Sequence, residues 1–118
     1  MPFPQIVGEL MANGVESYCV DYAARSFTFY SAAGAVVKAP LAFEELPSIA
    51  ENFDTAALKA AILDSQQKGQ KFRAFCDRAT RAGVQSYFAF LRGQRVTYLG
   101  RQGDQHTEWF PGAKPSDI

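Results

Sequence analysis

Near its C-terminal end the chain reads GDQHTEWF, which sets Asp104, His106 and Glu108 at alternate positions. Alternate residues of a strand share a face, so these three side chains would stand together there. Two carboxylates and an imidazole could hold a divalent metal or move a proton. His106 is, however, the chain's single histidine, whereas zinc and non-haem iron sites usually draw on two or more nitrogen or sulfur ligands. The economical reading is a strand face wetted by solvent, with no metal site and no cofactor. Cys19 and Cys76 form no CxxC pair, and Cys76 falls on an apolar helical stripe, so both are expected as buried thiols. The sequence contains no GxGxxG, P-loop or HExxH motif. No catalytic residue is assigned, and the chain is not expected to be an enzyme.

The elements that would position these residues come in a repeated pattern. GVESYCVDYAARSFTFYSAAG, from Gly14 to Gly34, returns as GVQSYFAFLRGQRVTYLGRQG, from Gly83 to Gly103. The offset is 83 − 14 = 69 throughout, and six of the 21 positions are identical, where unrelated sequences would share roughly one. Upstream of the second block, Phe72, Phe75, Cys76 and Ala79 lie at helical spacing. Subtracting 69 lands on Phe3, Ile6, Val7 and Leu10, all apolar. Each unit therefore reads as an amphipathic helix ended by a glycine (Gly14, Gly83), then a strand, a tight turn (Ala23–Arg25, Arg92–Gln94) and a second strand. Gly34 and Gly103 open third strands over Ala35–Val37 and Thr107–Phe110. A lone hairpin is marginal in water, so the units must cover each other. The fold class expected is α+β, internally duplicated, with helices packed on one antiparallel sheet. The unbroken apolar run Tyr87–Leu91 suggests a central strand buried on both faces.

Residues 40–53 read as an ordered connection with a short helical turn at Phe43–Leu46. Asp54 is a good N-cap for a helix over Thr55–Gln66 whose packed side is Leu58, Ala61, Ile62 and Ser65, and Gln70 or Lys71 opens the next helix. One domain over 1–118 is expected, with pseudo-repeats at about 3–39 and 72–110 and a tail from Pro111 that frays. The start has no signal-peptide pattern and no apolar run reaches membrane-spanning length, so a soluble, cytoplasmic protein without membrane partners is expected.

Formal charge is zero overall, from 12 basic and 12 acidic residues, but it is unevenly placed. Residues 1–58 hold two bases and seven acids, net −5; residues 59–118 hold the other ten bases and five acids, net +5. Lys71, Arg73, Arg78, Arg81, Arg92 and Arg95 form a candidate basic surface. The pI near 6.6 lies far below that of a dedicated nucleic-acid binder, so a solvated face is preferred and nucleic acid is an unlikely partner. The charge split also suits a homo-oligomer in which the acidic half of one copy meets the basic half of another.

From about residue 56 to 112 the sequence resembles the YbcV-like family, small bacterial and prophage-borne proteins of unknown function often labelled phage envelope protein. The likeness rests on Gly83, Val84 and Tyr87, on VTYLG from Val96 to Gly100, and on Gly103, Glu108 and Phe110. The family often places an aspartate after its Tyr-containing strand; Phe90 stands there in the second copy and Asp21 in the first. The resemblance implies an unknown function and no catalytic residues.

The leading expectation is a non-enzymatic binding or protein-interaction module of bacterial or prophage origin. The alternative is a small-molecule binder, or a small enzyme, using a cleft between the copies lined by Tyr18, Tyr87, His106 and Glu108. A further alternative is weak nucleic-acid contact through the basic surface over residues 68–101.

Overall fold

A computed structural model describes residues 3–113, and side chains from Val7 onward. Helix α1 (Phe3–Ala12) precedes strands β1 (Val15–Asp21), β2 (Ser26–Ser31) and β3 (Val36–Pro40). Helices α2 (Thr55–Gln67) and α3 (Phe72–Arg81) then lead into β4 (Val84–Phe90), β5 (Arg95–Gly100) and β6 (Gln105–Trp109). The six strands form one antiparallel sheet in the order β3-β2-β1-β4-β5-β6, so the first strand of each half meets the other at the centre. This is an α+β architecture.

The backbone follows one plan in both halves. Adding 69 to each partner in the β1–β2 ladder gives the β4–β5 ladder, including the irregularity at Val15/Ser17 and Val84/Ser86. The same shift carries β2–β3 onto β5–β6. Positive φ recurs at Gly14 and Gly83, at Arg25 and Gln94, and at Gly34 and Gly103. In the central ladder Ser17 faces Phe90 and Asp21 faces Ser86, so exchanging the halves leaves the register unchanged about an axis between Cys19 and Phe88.

All three helices and the loop after β3 serve one face of this sheet. Phe75, Cys76 and Ala79 of α3 are buried there, as are Leu58, Ala61 and Ile62 of α2, which packs on α3. Val7 and Leu10 of α1, with Phe43, Ile49 and Phe53 of the loop, pack against the same core. The stripe positions Phe3 and Ile6 lie outside the described side chains. Phe72 departs from expectation: it is 39% exposed at the rim, stacked on Phe27 and tilted against Phe43. Asp54 caps α2 by accepting from Ala57 N at 2.9 Å, and Lys71 precedes α3.

Several local expectations shift. The third strands occupy Val36–Pro40 and Gln105–Trp109 rather than starting at Ala35 and Thr107. The Phe43–Leu46 region holds only a turn at Glu44–Glu45, with Glu45 in the left-handed region. Of the tail, Pro111–Ala113 form a turn and residues 114–118 lie outside the described residues. β4 is central, as its apolar run implies, but the described residues cover it on one face only: Tyr87 and Ala89 are buried, while Phe88 is half-buried and Phe90 39% exposed.

Candidate functional site

The register sets two side-chain rows on the helix-covered face: Val37, Phe29, Tyr18, Ala89, Val96 and Glu108 in one, and Ala39, Phe27, Val20, Tyr87, Tyr98 and His106 in the other. Tyr18 and Tyr87 meet diagonally across the β1–β4 seam with ring centroids 6.4 Å apart, both buried. They are packing surface inside the core, and Phe75 caps Tyr87 edge-on. Tyr98 then links Tyr87, at 5.2 Å, to His106, at 6.4 Å. Two of the four candidate ligand-binding residues therefore lie in the seam, the other two lie at the β6 edge, and an unpredicted tyrosine joins them.

Burial governs the chemistry of the inner group. It pushes the Tyr18 hydroxyl up to about 12 and the Cys76 thiol up to about 11, and raises Tyr87 and Tyr98 well above the usual phenol range. At neutral pH these groups are protonated, which leaves them as hydrogen-bond donors and not as bases or nucleophiles. The buried Tyr22 hydroxyl lies against the Cys76 thiol and has no nitrogen or oxygen partner among the described residues. Cys19 and Cys76 are both buried free thiols, as expected.

His106 and Glu108 occupy a different setting. Both project from the edge strand β6 toward α2, with His106 Nε2 3.0 Å from Glu108 Oε1. They line an open groove of about 390 Å³ whose other wall carries Lys59 and Gln66 of α2 and whose end is closed by Phe110 and Pro111. Lys59 and Gln66 are exposed. Asp104 lies before β6 and does not join the pair; its carbonyl accepts from Gly100 N at 2.8 Å. Among the described residues no three His, Cys, Asp or Glu side chains come within reach of one metal ion.

The candidate basic residues are spread over separate surfaces. Lys71, Arg73, Arg78 and Arg81 belong to α3 or its start, whereas Arg95 stands on the opposite face of the sheet with its guanidinium 4.5 Å from the Trp109 ring. Arg78 donates to Asp64 at 2.6 Å and to Gln70, and Arg81 pairs with Asp77. Arg92 pairs with Glu16 across the seam, and Arg73 donates to the Glu44 carbonyl.

The sequence signal for the groove was incomplete. Lys59 and Gln66 are one solvent-side pair among the polar residues of α2, and nothing in their spacing pointed to β6. Tyr98 is core, and its added place as the bridge to His106 depends on the β5–β6 register. These features define an α+β protein with a six-stranded antiparallel sheet, helices on one face and a polar groove at one edge. The chain belongs to the family described as protein of unknown function (DUF1398), whose model matches residues 1–107 and so spans both halves. No curated protein matches it.

Proposed function

We propose that this chain is a non-enzymatic protein-interaction module, of the bacterial or prophage kind its sequence resembles, that pairs with a second copy through the bare face of its sheet. The same proposal takes the two halves as tandem copies of one helix-plus-meander unit. The matching ladders, positive-φ positions and helix starts support that reading. The observation that carries the function is the face opposite the helices. Across it run Val36, Tyr30, Ser17, Phe90, Arg95 and Trp109 in one row and Lys38, Thr28, Cys19, Phe88, Thr97 and Thr107 in the next. Phe88 and Phe90 stack 6.0 Å apart, and Val36 is 56% exposed.

Size and charge select the occupant. Six strands spaced at about 4.8 Å and roughly five residues long present about 500 Å² of plane, so two copies would bury about 1,000 Å² before side-chain relief is counted. That meets the threshold of about 1,000 Å² for a biological interface. The face carries Lys38 and Arg95 against Asp21, a near balance suited to neither a polyanion nor a strongly acidic partner. Self-pairing through this face would rest on its aromatic centre at Phe88 and Phe90 and should persist in salt that would weaken contact between acidic and basic halves. Cys19 lies at its centre and is 9% exposed, while Cys76 is fully enclosed in the core, so of the two buried thiols Cys19 is the one Ellman's reagent reaches first in the native protein. The modification rate is expected to fall as protein concentration rises. A rate independent of concentration would contradict pairing through this face.

A further inference from the structure

We infer that the groove between α2 and β6 binds a small zwitterion of the amino-acid or dipeptide class. This inference is independent of how the bare sheet face is used. It starts from a comparison the chain makes with itself. On equivalent backbone, offset by 69, the first half places Phe29, Val37 and Ala39 where the second places Tyr98, His106 and Glu108. The strand geometry thus does not require polar groups at these positions, since apolar ones occupy them in the first half. Among the described residues no helix stands beside α1 as α2 stands beside α3. The polar substitutions and the extra helix coincide at one place, and together they enclose the groove.

The burial pattern is inverted relative to what solvent would favour. Val37 is 60% exposed, while the His106 side chain at the equivalent position is only 14% exposed. Covering an imidazole and a carboxylate is costly unless something hydrogen-bonds them. They satisfy one bond between themselves, which leaves the second Glu108 oxygen without a hydrogen bond among the described residues.

The donor set fixes the ligand class. Among the described residues Lys59 has no ion-pair partner, and it stands on the wall opposite Glu108. A ligand carboxylate suits Lys59 and a ligand ammonium suits Glu108. A simple anion would face Glu108 uncompensated, and a simple cation would leave Lys59 so, which selects for a molecule bearing both charges. β6 is the last strand of the sheet. Bonds from Gly100 N to Asp104 O and from Phe110 N to Gln94 O turn the even-numbered residues toward β5. The main-chain groups of Thr107 and Trp109 therefore point outward at the groove, ready for the amide of a dipeptide or a side-chain amide. A volume of about 390 Å³ lies at the small end of ligand pockets.

The test is calorimetric titration of the full chain with L-glutamine and glycyl-glycine, with acetate and ethylammonium as single-charge controls. The zwitterions are expected to bind at least about tenfold more tightly than either control. The variant His106→Val/Glu108→Ala copies the first half's residues onto the second; it should melt within a few degrees of the parent and lose binding by about tenfold or more. Lys59→Ala, at an exposed helical position, should weaken the zwitterions and spare ethylammonium, and it decides the matter if the double variant fails to fold. Absence of binding by both zwitterions, equal binding of the controls, or affinity unchanged in Lys59→Ala would overturn the inference.

Discussion

Gly14 and Gly83 hold the same place in the two halves, yet the same substitution should affect them differently. Both have positive φ, 83° and 93°. A Cβ on Gly14 would meet open space, whereas one on Gly83 would run into the Asn52 carbonyl and the Phe53 backbone. Gly14→Ala should cost about 1 kcal/mol of conformational strain. Gly83→Ala adds a backbone clash and should cost about 3 kcal/mol or more, measured by urea denaturation. Equal losses would show that the loop before α2 does not hold Gly83 as described. The turn role of both glycines was legible in the sequence; the difference between them was not, because it depends on a loop present beside only one of them. Tyr22 makes a second case. Its hydroxyl is buried against the Cys76 thiol with no nitrogen or oxygen partner among the described residues, so Tyr22→Phe gives up at most a weak contact to sulfur and should leave the melting temperature unchanged or raised. A clear drop would mean the hydroxyl is bonded after all. Sequence reasoning passed over Tyr22 because one tyrosine among fifteen aromatic Phe and Tyr residues looks like ordinary core until its hydroxyl is located.

At the scale of elements, α2 and α3 are joined by Asp64 and Arg78, with Lys68 adding a longer pair to the same carboxylate. Hydrogen bonding from Arg78 is the main cause that lowers the Asp64 pKa. A carboxyl whose folded pKa is depressed contributes stability above its unfolded pKa and loses it as pH falls through the folded value. The parent should therefore lose stability below about pH 4 more steeply than Asp64→Asn, compared by thermal melts across acidic pH. Parallel profiles would remove this clasp from the account. Helix α2 was readable from its Asp54 cap and the Leu58/Ala61/Ile62 side, because helical periodicity is local information. The β6 boundaries and the exclusion of Asp104 were not readable, since strand ends are set by a partner strand and the 100–104 turn. The Tyr87–Leu91 run correctly marked a central strand. It misled about cover on the second face, because hydrophobicity says that a side chain seeks contact and not whether the same chain supplies it.

For the whole molecule, two consequences follow from where polar and apolar groups are placed. The inner face seals phenols and a thiol, Tyr18 raised to about 12 and Cys76 to about 11. Groups with raised folded pKa contribute stability that is complete below their unfolded values and is lost as pH rises through the folded ones. Stability should be flat from neutral pH to about 9, the ordinary thiol value, and then decline toward 12; a protein equally stable at pH 8 and 11 would contradict this burial. The outer face keeps Phe88, Phe90, Tyr30 and Trp109 without cover from any described helix. Sedimentation equilibrium tests the central claim most directly, run on the parent and on Phe90→Glu in low and high salt. The parent, with a chain mass of 13.0 kDa, should sediment as a dimer in both salts, and the variant as a folded monomer. A parent that is monomeric at every concentration, or a dimer that survives Phe90→Glu, would contradict pairing through the open sheet.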